Sequence, residues 1–313
     1  MWLRKAWRKR RRHLRRSRLA VSESVAAQPN IAREMVQLAK PRITALVVFT
    51  TACGLWFAPR SLGWRGNLLT LVGTVLVVAA ANALNMYLER DTDALMSRTK
   101  NRPLPAGRLA PSVALKFGLV LAAISVPLLT FAVGPLPGLL ASVALVSYVL
   151  LYTPMKRRST ASLLVGAIPG AIPPVIGWTA AMGKLELPAA LLFALMFLWQ
   201  VPHFLAITLF RAEEYARAGL VVAPNEPGGE RTARADIVRY TVALWGTSLL
   251  FVPIGAAGKV YFAVAIVSGA AFTGLGLVGL KRGSGPKWAK QLFLLSLVYI
   301  TAVMAALVLD RGT

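Results

Sequence analysis

Asn85, Glu89 and Asp93 recur at intervals of four residues in a chain that is otherwise apolar and basic. On a helix of 3.6 residues per turn, steps of four keep side chains on one face, drifting about 40° per step. The chain holds 12 Asp and Glu against 36 Lys and Arg, and three of the 12 acids (Glu89, Asp91 and Asp93) fall within five residues. Arg98, Lys100 and Arg102 follow at once. Hard oxygen donors beside a row of cations suit Mg2+ shared between carboxylates and substrate phosphates, and Arg can grip a diphosphate through two parallel N–H bonds. The chemistry suggested is a divalent metal holding a phosphorylated substrate at a membrane surface. A plainer alternative is a helix end whose acids pair with Arg90 and Arg98. Asn82, one turn earlier and deeper in the apolar run, favours a polar cavity.

Three further segments carry chemistry. Lys156, Arg157 and Arg158 follow Tyr152-Thr153-Pro154-Met155 and are either membrane-topology cations or anion ligands. Phe197-Leu198-Trp199-Gln200-Val201-Pro202-His203-Phe204 holds one of the two histidines; the other, His13, lies in the basic N-terminal stretch. A lone intramembrane histidine serves as an iron ligand, a proton donor or a hydrogen-bonded residue in a helix seam. Arg211-Ala212-Glu213-Glu214-Tyr215-Ala216-Arg217-Ala218-Gly219 brings a second acidic pair, read either as a metal motif or as a solvated turn.

The elements that must position these residues are membrane helices. The 313-residue chain is 56% hydrophobic, with mean hydropathy +0.60 and apolar stretches near 20 residues throughout. A bilayer core needs about 20 apolar residues per helix. The fold class expected is therefore all-α and polytopic, with nine transmembrane helices around a central cavity opening to the cytoplasmic side. The spans read as roughly 42–59, 67–88, 113–133, 136–152, 162–182, 187–209, 237–256, 260–280 and 289–309. Of the 36 Lys and Arg, 31 fall on the side of the N-terminus and 5 on the other. That alternation supports the span count and places the N-terminus in the cytoplasm and the C-terminus outside. It also accounts for the +24 charge without a nucleic-acid partner. Two long loops, 89–112 and 210–236, share the cytoplasmic face and contain eight of the 12 acids. A single cysteine, Cys53, excludes an intramolecular disulfide and a cysteine metal cluster.

Residues 1–36 form a basic N-terminal tail and 37–313 the nine-helix domain. Met1 to Leu19 carries 10 Arg or Lys and no acid, and lacks the apolar core of a signal peptide. It suits a cytoplasmic tail on the anionic lipid of a bacterial inner membrane; the alternative is a presequence addressing the mitochondrial inner membrane.

From Lys40-Pro41-Arg42 to about Thr241 the chain resembles the UbiA-type superfamily of intramembrane prenyltransferases, and within it the protoheme IX farnesyltransferase (heme O synthase) branch. That branch's first motif is close to Asn-Asn-Tyr-x-Asp-Arg-Asp-x-Asp-x-x-Met-x-Arg-Thr, and Asn85, Tyr87, Arg90, Asp91, Asp93, Met96, Arg98 and Thr99 stand in register with it. The Tyr152-Thr153 and Lys156-Arg157-Arg158 segment, the Gly-Ala-x-Pro-Pro-x-x-Gly-Trp run ending at Trp178, and Pro202-His203-Phe204 also match. Met86 replaces an Asn or Asp of the motif, and Glu89 and Glu214 replace aspartates. Ala212 stands where Arg is common, with Arg211 beside it, and Val221-Val222 replaces Pro-Met.

The resemblance implies nine helices and farnesyl transfer from farnesyl diphosphate to a vinyl group of heme B, giving heme O and diphosphate. Mg2+ is implied at Asn85, Glu89, Asp93, Glu213 and Glu214. Arg98 and Lys156 join Asn85, Glu89, Asp93 and Glu214 as expected catalytic residues. Tyr87, Asp91, Lys100, Arg102, Tyr152, Arg157, Arg158, Trp199, His203 and Tyr215 are expected to bind substrate, with Tyr87, Tyr152, Trp178 and Trp199 shielding an allylic cation and His203 orienting or ligating the porphyrin iron. Heme B is substrate rather than cofactor. The lipid bilayer, heme A synthase and terminal-oxidase assembly factors are the implied partners. Prenylation of an aromatic quinone precursor, or heme binding without chemistry, are the competing functions.

Overall fold

The computed structural model describes residues 30–281 and 283–312; residues 1–29 of the expected basic tail lie outside them. The described residues form helices with no strand, only one isolated bridge between Ala257 and Arg311. In chain order the helices are α1 (Ile31–Leu38), α2 (Pro41–Phe57), α3 (Gly63–Ala94), α4 (Pro111–Val133), α5 (Pro135–Met155), α6 (Ser162–Met182), α7 (Leu187–Phe210), α8 (Ala212–Arg217), α9 (Gly229–Leu249), α10 (Lys259–Val278) and α11 (Pro286–Leu309). Prolines at the first or second position start α2, α4, α5, α7 and α11, where the missing N–H costs nothing.

Seven of the described helices (α3, α4, α5, α6, α7, α10 and α11) are long and apolar enough to cross a bilayer. The pair α1 and α2, bent by 48°, brings the number up to eight. The protein is an integral membrane protein. Helix α9, where a span over 237–256 is expected, differs for two reasons. It starts eight residues earlier, after the turn at Gly228 (φ 70°), so Glu230, Arg231, Arg234, Asp236 and Arg239 occupy its first half. It ends at Leu249 because Pro253 disfavours helical backbone just ahead of it.

The expected loops and tail are also more ordered than their polarity suggests. Helix α3 runs on to Ala94, so the acidic face is helical throughout. Residues 210–236 contain α8 and the start of α9. Helix α1 begins inside the expected tail and is packed down: Leu38 is fully buried, and Glu34 accepts a 3.0 Å bond from Arg108 Nε.

Small residues let the central helices touch. A Cβ on Gly54 of α2 would lie 2.0 Å from the Pro174 carbonyl oxygen of α6, and one on Gly177 would lie 2.1 Å from the Thr51 carbonyl. Backbone contact of this kind is how membrane helices pack without a hydrophobic drive between them. It makes α2 and α6 a fixed reference beside α3 and α7, which carry the polar side chains.

Candidate active site

On α3, at about 100° per residue, Asn82, Asn85, Glu89, Thr92 and Asp93 occupy an arc of roughly 100°, while Tyr87 and Asp91 fall on the opposite side. The contacts follow this geometry. Asn85 Oδ1 accepts from Lys40 Nζ at 2.9 Å, and its Nδ2 donates to Thr153 Oγ1 at 3.1 Å. Glu89 accepts from Lys156 Nζ at 2.8 Å, and Asp93 from Arg102 Nη1 at 2.6 Å. Arg157 reaches the Thr92 hydroxyl. Lys156 also sits 4.3 Å from the Tyr152 ring centroid. Burial works against the Lys156 charge, but Tyr152 and Glu89 beside it outweigh that and hold its pKa above the usual lysine range.

Two local devices deliver these partners. Lys40 joins α1 to α2 with φ 49°, the only non-glycine among the described residues with positive φ. Its place before Pro41 disfavours α-helical backbone, and the left-handed conformation costs roughly 1–3 kcal/mol. The kink turns Lys40 Nζ onto Asn85. At the end of α5 the backbone widens into a π-helical turn, Ser147–Tyr152. Thr153 Oγ1 bonds the Tyr148 carbonyl five residues back at 2.8 Å, setting Tyr152, Thr153 and Lys156 against α3. Such turns often mark functional sites.

The second acidic motif joins through α8. Glu214 is buried and accepts from the Ser97 hydroxyl at 2.7 Å, the Arg98 backbone N–H at 3.1 Å and Arg211 Nη1 at 2.9 Å. Burial opposes its charge, but these three donors prevail and bring its pKa down to about 2. Arg211 thus takes the place of the cation expected at Ala212. Burial raises the Tyr215 pKa, with Arg98 opposing it and Tyr152 and Lys156 also in range. The Val221 N–H donates to the Lys156 carbonyl at 2.9 Å, tying this segment to the α5 turn.

The structure therefore brings together Asn85, Glu89, Asp93, Arg102, Tyr152, Lys156, Arg157, Arg98, Glu214 and Tyr215. It adds Lys40, Thr153 and Ser97, for which the sequence alone suggests no role. Other expected residues stand apart. Tyr87 lies under Arg90, 5.0 Å from its guanidinium carbon, and Asp91 is exposed beside Arg90 at 3.7 Å, because both occupy the far side of α3. Glu213 is exposed, on the other side of α8 from Glu214. Lys100 and Arg158 are exposed outside the paired set. Trp178 is buried against Phe57 at 5.4 Å. Trp199 and His203 lie at the seam of α7 and α11: Trp199 Nε1 donates to the Ser296 carbonyl at 2.7 Å, and His203 Nδ1 lies 2.7 Å from Ser296 Oγ. Of the four aromatic candidates, Tyr152 alone adjoins the Lys156–Glu89 pair.

The donor chemistry fits Mg2+. The oxygen groups of Asn85, Glu89, Asp93 and Glu214, buried or half-buried, are each already matched to a cation. Among the described residues no three His, Cys, Asp or Glu side chains form a metal cage. An ion shared with phosphate oxygens is the arrangement Mg2+ prefers.

The UbiA prenyltransferase family profile matches residues 47–298. The chain belongs to the UbiA prenyltransferase family. A protoheme IX farnesyltransferase of Sorangium cellulosum is 54% identical over 279 residues, covering 84% of this chain and 99% of the relative. One from Myxococcus xanthus is 50% identical, covering 90% and 96%. In fold, the chain superimposes on a digeranylgeranylglyceryl phosphate synthase with TM-score 0.74 at 16% identity, covering 89% of this chain and 98% of that one. A UbiA homologue from Archaeoglobus fulgidus bound to DMAPP and Mg2+ gives 0.62 at 17%, covering 88% and 99%.

Within this UbiA chain, Met86 has a structural reason. It is 1% exposed and packs with Leu38, Ala83, Leu104, Leu109 and Ala114. Position 86 faces the α1–α4 cluster, so an apolar residue there leaves the acidic face intact.

Proposed function

We propose that this chain transfers the farnesyl group of farnesyl diphosphate to a vinyl group of heme B, releasing diphosphate and giving heme O, a step that supplies terminal oxidases. The observation that carries this reading is the 54% and 50% identity to protoheme IX farnesyltransferases over nearly their whole length. The paired acids and cations supply matching chemistry. Mg2+, held by Asn85, Glu89, Asp93 and Glu214, would neutralise charge on the departing diphosphate. Lys156, Arg102, Lys40 and Arg157 each release a protein oxygen and turn to phosphate oxygens as the substrate enters. Fixed cations aimed at a leaving group stabilise it most where water is excluded. Tyr152, beside Lys156, presents a ring face to the allylic cation. The vinyl carbon attacks that cation, water then adds at the porphyrin-side carbon, and a proton is released.

In the membrane we place α2 to α7 and α9 to α11 as nine spans, with the charged site facing the cytoplasm of a bacterial inner membrane. The 31-to-5 division of Lys and Arg supports that orientation. Heme A synthase or oxidase assembly factors are the natural recipients of the product. Membranes containing the chain, incubated with heme B, farnesyl diphosphate and Mg2+, should yield heme O by chromatography. No heme O, with a quinone precursor prenylated instead, would refute the proposal.

A further inference from the structure

On the farnesyl diphosphate reading above, we infer that Glu34 and Arg108 are positioning residues. Their ion pair braces the two segments that carry Lys40 and Arg102 to opposite ends of the acidic face of α3. Glu34 lies on α1, six residues before Lys40, and Arg108 lies in the α3–α4 connection, six residues after Arg102. Arg108 Nε donates to Glu34 Oε1 at 3.0 Å, and its Nη2 donates to the Asn101 carbonyl at 2.9 Å. One guanidinium thus ties α1 to the residue that precedes Arg102. Lys40 meets Asn85 and Arg102 meets Asp93. Those two positions are eight residues apart, about 12 Å of helix rise, so separate segments must reach them and must be held in a fixed relation.

Each segment is also anchored locally. The Ala39 carbonyl accepts from Asn82 Nδ2 at 3.2 Å and from Thr44 Oγ1 at 2.6 Å, which holds the left-handed turn at Lys40. In the connection, the Ala106 and Arg108 N–H groups donate to the Arg102 and Pro103 carbonyls, each at 3.0 Å. Leu38 of α1 packs in one cluster with Leu104 and Leu109. The ion pair itself is unequal. Glu34 is 5% exposed and its Oε2 is buried with no partner among the described residues, whereas 34% of the Arg108 side chain reaches solvent. Removing the guanidinium leaves a bare buried carboxylate, which is strongly destabilising. Its hydration requires α1 to lift, and Lys40 moves with α1. Removing the carboxylate charge instead leaves a guanidinium that water can serve.

The test is calorimetric titration of the full chain in lipid nanodiscs with Mg2+ and farnesyl thiodiphosphate, a slowly cleaved analogue. Arg108→Gln should weaken analogue binding by about 10- to 100-fold, and Glu34→Gln by less than about tenfold. Adding Glu34→Gln to Arg108→Gln should restore part of the loss, because no bare charge then remains. In a Lys40→Met background Arg108→Gln should cost less than in the parent, since one of the groups it positions is gone. Heme B affinity, titrated separately, should stay at the parent's value in both single variants, a split that general loosening of the fold would not produce. A double variant as weak as Arg108→Gln would make Arg108 a direct diphosphate ligand and overturn the inference. Arg108→Gln binding as tightly as the parent, a loss shared equally with heme, or a parent that does not bind the analogue would overturn it too. Glu34→Gln, the milder change, carries the test if Arg108→Gln does not fold: a loss confined to the analogue supports the brace, and no loss or a shared one refutes it. Heme O is assayed in parallel. The expected binding pattern without heme O would keep the brace and remove the transfer reading, whereas heme O with undiminished analogue binding in both single variants would do the reverse.

Discussion

Replacing Met86 with the asparagine that its relatives' motif suggests should damage the protein rather than repair it. Met86 is 1% exposed and packs against Leu38 of α1, Leu104 and Leu109 of the α3–α4 connection, and Ala114 of α4. Met86→Asn gives up the burial of a large apolar side chain, about 1.5–3 kcal/mol. It also places an amide where these neighbours offer no partner, a further cost of about 1–3 kcal/mol on mutational scales. The sum, about 2.5–6 kcal/mol, falls on the cluster that seats α1, and α1 carries Lys40 into the site. The expected result is a clear drop in the temperature of half-inactivation in detergent, with turnover per folded molecule unchanged or lower. Met86→Leu keeps the apolar volume and should lose less than about 1.5 kcal/mol. If Met86→Asn were as stable as the parent and turned over several-fold faster, residue 86 would have to reach the diphosphate site, and the assignment of its face would be wrong.

Glu214→Gln should lower turnover by at least about tenfold, from weakened charge-assisted bonds worth roughly 1.5–3 kcal/mol, whereas Glu213→Gln should match the parent in the same heme O assay. Lys40→Met should raise the KM for farnesyl diphosphate by about 10- to 100-fold on the same scale, with little change in the KM for heme; equal effects on both would place Lys40 elsewhere. Asp93→Ala should abolish turnover while the chain remains monodisperse on size exclusion, because Arg102, with 24% of its side chain exposed, can turn to water. Gly54→Ala forces a methyl to within 2.0 Å of the Pro174 carbonyl oxygen; overpacking of this kind costs about 1–3 kcal/mol and should lower thermal stability without changing either KM.

What the sequence disclosed was governed by short-range periodicity. The face shared by Asn85, Glu89 and Asp93 follows from helix pitch alone, and the same pitch places Tyr87 and Asp91 on the far side, a consequence that motif matching hides. The bounds of α9 are not legible in its apolar stretch alone. Its charged first half propagates from the Gly228 turn, and charge alone does not stop a helix. Lys40 was legible only as part of a motif, since its partner lies 45 residues away and the link depends on a left-handed kink. The choice between Glu213 and Glu214 likewise required the orientation of α8, a six-residue helix whose phase is set by Ser97 and Arg98, more than 110 residues earlier.

The site is best understood through its charge balance. Four oxygen-bearing side chains are each matched by a cation: Asn85 by Lys40, Glu89 by Lys156, Asp93 by Arg102 and Glu214 by Arg211. An unpaired carboxylate so close to lipid would be costly, and removing one partner of a buried pair typically costs about 3–5 kcal/mol. The pairs therefore allow three acids to coexist in a membrane protein. They also prepare exchange. An incoming metal diphosphate would present cationic charge to Glu89, Asp93 and Glu214 and anionic oxygens to their cations, so these three pairs could trade partners without leaving a charge bare. A substrate lacking the diphosphate offers only half of that trade. On the proposed function, selectivity for the diphosphate over the free alcohol should arise from the resting ion pairs themselves, before any chemistry occurs.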